Sequence, residues 1–598
     1  MVSMATNGTA EPVGELIRQL RRQRNITQTA LGAPRYSKSY VSAVEKNTIR
    51  PSPEALQFFA EQLDQPNDYF TVPHEHPDGM KQEAALQGPE AISGPSTQDE
   101  GFNLLSLLLE RADYSFILSM ETLPPLAPGL IATLSPSGQA SYIFLGGVIA
   151  QGKQEYEVAL HAFERALPLA PAQLQPAVLD ALGQHYYLTR SYATALHYHH
   201  RAFALLQHAA FQEPARALLF PVTLHCAEDY RALGAYTQAC DMYEQAWPHL
   251  RAEHEMKSAA LLYLGWGYCT YALSYQAAAQ VLATGEGVPL EEMERGFQRA
   301  MVLIVQSREV CQLSGDLQGE TAARLLLAVT ELDFIARRRQ LVSTPGAELL
   351  TSCLSLLDEA EEQCRQVLVS CQDMLKPGTA SAAPHPETIF VALAYLVRTF
   401  IQRATLARLS GHEDTARRER ALATHLCQHA LDALGEPEFP RALLQVALSL
   451  QAERSIDDPP TLSRLPDLTE DAAAFEQSLP DHVEVYCATG EVAEELGRTA
   501  TSSADAHDYY AYADHCFHLA LRFANVIVSS HQREPGYLVR CHQRYTYLLE
   551  ERSTTAPEVW EETSRTLIDL LKNGLPQVQN AIISAQVSLS GVTQEQQR

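Results

Sequence analysis

The chain has 598 residues, 46% of them hydrophobic and 20% charged, and a formal net charge of −27. That balance is ordinary for a folded protein and argues against global disorder, while the length allows several domains, or one small domain ahead of a long repeat array. Eleven cysteines without a CxxC pair argue against a disulfide framework, and "MVSMATNGTAEPV" carries no basic stretch followed by an apolar run, so reduced thiols and a cytoplasmic location are expected.

In chain order, the first unusual feature is charge. Between Val13 and Pro51 stand eight basic residues and two acidic ones, a surplus of +6 against −33 for the remainder. A compact basic segment on a large acidic body fits a small nucleic-acid reader joined to a separate module. Residues 13–25 place Val13, Leu16, Ile17 and Leu20 on one helical face. Thr27 can N-cap a short second helix, "QTALG", which stops at the turn around Ala33 and Pro34. Ser37 can cap a third, "KSYVSAVEK". There Tyr40, Val41 and Val44 share one side, while Lys38, Ser39, Ser42 and Lys46 fall within about 100° on the other, at 3.6 residues per turn. Short polar side chains on an outward face let such a helix approach base edges. "IRPSPEAL" then breaks the chain and starts a helix carrying Leu56, Phe59, Ala60 and Leu63.

The order "LRRQRNITQTAL…YSKSYVSAVEKNTIRPSPEALQFFAEQL" resembles the Cro-type, or XRE-family, helix-turn-helix domain. The resemblance implies a domain over residues 11–70 in which Gln28 meets phosphate, Lys38, Ser39 and Ser42 face base edges, and Lys46 and Arg50 flank the DNA backbone. Arg22, Arg35 and Ser37 complete the expected DNA-facing set. The sequence departs from the family pattern at Gly32 and Pro34, where helix two normally continues, and at Asn47, where glycine is common. Asparagine tolerates the left-handed conformation.

Residues 71–100 hold Pro73, Pro77, Pro89 and Pro95 with three glycines and no apolar period, and are read as a flexible linker. "HEHPD" at 74–78 has no second cluster with which to form a metal site.

From 101 to 598 the pattern is helical and it repeats. Ala-x3-(large residue)-x2-Ala recurs as Ala159/Phe163/Ala166, Ala195/His199/Ala202 and Ala239/Tyr243/Ala246. It returns as Ala423/Cys427/Ala430 and Ala513/Phe517/Ala520, and in part as Phe297/Ala300. Small residues about one turn apart let two antiparallel helices approach, and the larger residue fills the gap between them. The pattern resembles the tetratricopeptide (TPR) repeat. That resemblance implies an all-α chain whose body is a right-handed α-solenoid, its concave wall lined by the first helix of each pair. It places Gln184, Tyr187, Glu228, Arg231 and Trp266 on that wall, as a candidate ligand groove.

Catalytic signatures are missing: there is no GxxxxGK[ST], no GxSxG and no HExxH, so no enzyme, cofactor or metal is expected. "HYHH" at 197–200 and the His425/His429 pair are read as packing or surface histidines. No stretch is expected to span a membrane; the most apolar run, 259–273, is shorter than the roughly 18–20 residues required. The expectation is therefore a homodimeric transcription regulator binding a palindromic operator in double-stranded DNA. Its helical body would sense a peptide, small-molecule or protein effector, as the resemblance to cytosolic peptide-pheromone receptors implies. Those receptors often grip peptide backbone with asparagine, whereas this sequence has no Asn between residues 104 and 524. The alternative is a TPR interaction scaffold or adaptor with the helix-turn-helix as a docking module. The basic, short-side-chain face of the third helix separates the two, since a scaffold has no need of it.

Overall fold

The computed structural model describes residues 17–18, 21–22, 24, 26–33, 35–36, 38–45, 53–63, 134–207, 217–250, 256–284, 289–341, 346–374, 386–434, 444, 447, 462, 479–531, 536–556, 559, 561 and 563–566. The expected linker, 71–100, and "HEHPD" lie outside them. The chain divides into two compact units, Met1–Gly94 and Pro95–Arg598. Among the described residues all regular structure is helical and there is no strand.

In the first unit, α1 (Gln28–Gly32), α2 (Lys38–Glu45) and α3 (Pro53–Gln62) follow helical residues Ile17, Arg18, Arg21 and Arg22. Thr27 caps α1, its Oγ1 accepting from the Ala30 amide at 3.1 Å. Ile17, Leu31, Val41, Val44, Phe59, Ala60 and Leu63 close a small core with almost no exposure. Tyr36 packs edge-on against Phe58, with ring centroids 5.3 Å apart.

The second unit is an array of antiparallel pairs. The first helices are α4 (Pro136–Gly152), α6 (Gln175–Leu188), α8 (Leu219–Ala232), α10 (Met256–Thr284), α12 (Leu317–Leu341), α14 (Pro386–Leu409) and α16 (Leu479–Arg498). Their partners are α5 (Tyr156–Ala166), α7 (Tyr192–Gln207), α9 (Tyr236–Ala246), α11 (Leu290–Ser314), α13 (Ala347–Met374), α15 (Glu413–Ala433) and α17 (Ser503–His531). A further first helix, α18 (Gly536–Thr555), follows. Each helix packs on its partner, each second helix on the next first helix, and each first helix on the first helix of the following pair. This is the stacking of an α-solenoid, with first helices forming one continuous wall.

The repeated alanine motif makes this possible. All its members, from Ala159, Phe163 and Ala166 to Ala513, Phe517 and Ala520, are buried on second helices, as are Phe297 and Ala300. The first helix answers with a small residue. A Cβ on Gly147 would meet the Phe163 ring at 2.6 Å, and one on Gly490 would meet the Phe517 ring at 2.7 Å. Glycine therefore sets the interhelix distance at both ends of the array. The 387–409 stretch of α14 is long and apolar enough to cross a membrane, but nearly all of it is buried among neighbouring helices.

From α12 onward the wall of first helices carries buried charge. Arg398 donates to Asp333 at 2.9 Å and to Glu491 at 3.1 Å. Arg544 reaches the same Glu491 at 2.8 Å and Glu484 at 3.0 Å, and Arg552 holds Glu494 at 2.6 Å. Arg339 of α12 donates to the Tyr547 hydroxyl of α18 at 2.7 Å, so opposite parts of the wall are tied together by side chains. Removing one partner of a buried pair leaves an uncompensated charge, at a cost of about 3–5 kcal/mol. Arg398→Met is therefore expected to lower the thermal and urea midpoints sharply. Arg295→Met, which breaks an exposed 3.2 Å pair with Glu291, is expected to cost no more than about 0.5 kcal/mol. Equal shifts for the two variants, followed by circular dichroism, would contradict this account of the wall.

Candidate nucleic-acid interface and helical groove

One ionic cluster holds the N-terminal unit in shape. Arg21 grips Glu45 with two bonds, Nε to Oε1 at 2.5 Å and Nη2 to Oε2 at 2.9 Å. Its Nη1 donates to the Ile26 carbonyl at 2.9 Å, and Gln28 Nε2 donates to Glu45 Oε2 at 2.8 Å. The first helical segment, the start of α1 and the end of α2 are thereby locked together. Burial resists ionisation of Glu45, but the hydrogen bonds from Arg21 and Gln28, with the charges of Arg21 and Arg18, outweigh it and hold its carboxyl below the usual range.

This cluster sorts the basic residues. Arg21 spends its charge internally, cancelling Glu45, so the surplus of the segment is carried by the other cations. Arg22, Arg24, Arg35 and Lys38 are exposed, and Ser42 is half-buried on the helix whose Val41 and Val44 are fully buried. The Arg35 guanidinium lies 5.8 Å from the Phe58 ring centroid. Gln28, expected at phosphate, is half-buried and engaged with Glu45. Ser39 lies in α2; Ser37, Lys46 and Arg50 lie outside the described residues.

In the second unit, the expected groove residues stand on first helices. Gln184 of α6 donates to Asp180 at 2.9 Å. On α8, Glu228 accepts from Arg231 at 2.8 Å and from the buried Tyr243 hydroxyl of α9. Arg231 reaches the Tyr187 hydroxyl of α6 at 3.4 Å and lies 5.8 Å from the Tyr268 ring of α10. Tyr187, Glu228 and Arg231 thus form one cluster across two first helices, α6 and α8, with Glu228 buried and the other two half-buried. Trp266 is engaged elsewhere, beneath the Arg299 guanidinium of α11 at 5.2 Å. A Cβ on Gly265 would come within 2.1 Å of the Tyr243 hydroxyl, so α10 can close on this cluster only through glycine.

Sequence reasoning missed a second polar cluster. His199, read as a packing histidine, is buried and bonded through Nδ1 to Asp229 at 2.5 Å. His225 and Asp180 stand beside it. The four residues come from three helices, and no local spacing announces them. By contrast His425 and His429 share α15 as the i,i+4 spacing indicates, with Nε2 atoms 3.2 Å apart.

The ionic lock has a measurable signature. Glu45→Gln is expected to destabilise the N-terminal unit by about 3 kcal/mol, because Arg21 loses its charge partner in a largely buried setting. A carboxyl held below its ordinary value contributes stability that is complete above the unfolded-state value, near 4.5, and is lost as pH falls through the folded-state value. The wild type should therefore lose stability in acid, whereas that loss should be reduced in Glu45→Gln. Parallel acid profiles for the two proteins would show that the pair is not the lock.

Residues 17–70 match the Helix-turn-helix family. None of the curated proteins matches the chain. Among solved structures, the chain is similar to PlcR of Bacillus thuringiensis in complex with the peptide PapR7 and DNA. Identity is 16% over 51% of this chain and 99% of that one, at a TM-score of 0.24. It is also similar to a Rap protein complexed with competence and sporulation factor, with 11% identity over 69% of this chain and 97% of that one, at 0.27. A circular tandem repeat protein aligns over 96% of this chain and 99% of its own, at 12% identity and a TM-score of 0.24. The N-terminal unit of this chain is an XRE-type helix-turn-helix domain.

Proposed function

We propose that the chain is a sequence-specific transcription regulator, in which residues 11–70 read DNA, 71–100 link, and 101–598 sense an effector and pair two chains. The observation that carries the reading is the division of α2 into two faces. Val41 and Val44 are buried against the rest of the unit, and the Arg21–Glu45 pair anchors the C-terminal end of the helix. Exposed Lys38 and half-buried Ser42 are left on the outward side. In a helix-turn-helix domain this helix enters the major groove, with its first residues toward base edges. Gln28 bonds Glu45 with one amide hydrogen, and the second is available in kind to a phosphate oxygen.

For the effector, the favoured place is the cluster of Tyr187, Glu228 and Arg231. It sets a guanidinium, a carboxylate and a phenol side by side, groups suited to the polar ends of a peptide or other small dipolar molecule. Further along, the wall is bridged by its own side chains, as between Arg339 and Tyr547. Effector binding can alter DNA affinity only by favouring one arrangement of the body over another.

Selection of the full-length protein on random duplex DNA tests the reading. Lys38→Ala is expected to change the selected sequence, since base contacts discriminate by about 1–3 kcal/mol each. Arg22→Ala is expected to weaken all duplexes alike and to flatten the salt dependence, as loss of a phosphate contact does. An unchanged motif in Lys38→Ala would sink the assignment of the reading helix.

The same protein should be dimeric by light scattering and should occupy half-sites about one helical turn apart. Arg231→Ala is expected to abolish the response of DNA binding to cell extract while leaving basal binding intact. A monomer on a palindromic site would overturn the proposed pairing.

A further inference from the structure

The cluster around His199 has the form of a ligand set. Asp180 comes from α6, His199 from α7, and His225 and Asp229 from α8, so one pair and its successor meet there. His225 Nδ1 lies 2.7 Å from Asp180 Oδ1, and His199 Nε2 lies 3.7 Å from the same oxygen. One donor atom each from Asp180, His199 and His225 falls within 4.8 Å of the others. An ion bound at about 2.0–2.1 Å in tetrahedral geometry has donors roughly 3.3–3.4 Å apart, so these separations bracket the need.

The orientation of His199 is the more telling fact. Its Nδ1 faces Asp229 Oδ2 at 2.5 Å, which places the ring proton there and the lone pair on Nε2. That Nε2 is buried and has no hydrogen-bond partner. It looks toward a carboxylate oxygen at a distance too long for a hydrogen bond, so a lone pair and an anion face each other across a gap. A cation resolves this arrangement. Asp229 then plays the part of the carboxylate that orients a ligating histidine, and Gln184, bonded to Asp180 Oδ2 at 2.9 Å, steadies the second ligand. Gly183 leaves the room the imidazole occupies, since a Cβ there would fall 2.3 Å from His199 Nε2.

We propose that Asp180, His199 and His225 bind a divalent transition-metal ion of the zinc class, with Asp229 positioning His199. Two imidazole nitrogens and one carboxylate suit zinc, cobalt or nickel better than calcium or magnesium, which take oxygen ligands. Binding at His225 Nδ1 sends the proton it shares with Asp180 Oδ1 to solvent while Nε2 keeps the remaining ring proton, so the ligand is a neutral imidazole, and half-buried His225 allows the release. The three protein donors leave a fourth coordination position for water. The ion would tie α6, α7 and α8 together beside the Tyr187–Glu228–Arg231 cluster, yet the site stands whether or not that cluster holds an effector.

Full-length protein, stripped with chelator and dialysed, is titrated with Co2+ and read by visible absorption and elemental analysis, with no DNA present. The expected result is one Co2+ per chain with the ligand-field bands of a low-coordinate nitrogen and oxygen site, displaced by Zn2+. His225→Ala and Asp180→Asn should each weaken binding at least about 10-fold, and Asp229→Asn about 10–100-fold. His425→Ala, which dismantles the other histidine pair, should leave it unchanged. Circular dichroism establishes that each variant is folded; His225→Gln serves should His225→Ala not fold. Failure of the wild type to retain Co2+, or unaltered binding in the folded His225 variant, overturns the proposal.

Discussion

The structure depends on how closely two helices can approach. In five of the seven pairs of the second unit the second helix offers alanine on either side of a larger residue, and in three of them the facing helix offers glycine at the point of contact. Phe163 against Gly147, His199 against Gly183 and Phe517 against Gly490 are the same solution in different pairs. Dispersion is short-ranged, so a gap of even about 1 Å forfeits a large share of the contact. Because most pairs share this packing, first helices fall on first helices, and the continuous wall follows from a local rule.

That wall explains how an acidic chain tolerates so much buried charge. Solvent-facing carboxylates need no partners, but the first helices turn toward one another, and their polar groups lose water as they do so. The arginines of α14 and α18 supply what was lost, meeting carboxylates from other helices, and Arg339 of α12 and Arg498 of α16 both reach Glu551 of α18. In the earlier pairs Tyr187 and Arg231 remain half-buried, while Glu228 between them is buried and bonded to Arg231 and Tyr243. The later part of the array is thus bridged by buried ion pairs, and the earlier part leaves Tyr187 and Arg231 partly exposed.

The N-terminal unit solves a different problem with the same economy. Beside its small apolar core, a bidentate Arg21–Glu45 pair braced by Gln28 joins the first helical segment to α1 and α2. Neutralising Arg21 internally also keeps the outward charge on Arg22, Arg35 and Lys38, on both sides of α1 in the chain.

By itself, the sequence determined the class of the fold and the short-range features. The bounds of α1, the Thr27 cap, the buried Val41 and Val44 and the recurring alanine motif were all legible, because each depends on residues within a turn or two of one another. Candidate residues were legible only as faces. Lys38 and Arg22 could be placed outward by periodicity, but Gln28 could not be seen to spend an amide hydrogen on Glu45, seventeen positions on. The His199 cluster was invisible for the same reason. Its partners Asp180, His225 and Asp229 are brought in by two other helices, and only the tertiary packing decides which buried nitrogen faces which carboxylate. Local patterns encode secondary structure and burial; long-range electrostatic partnerships exist only once the helices have closed.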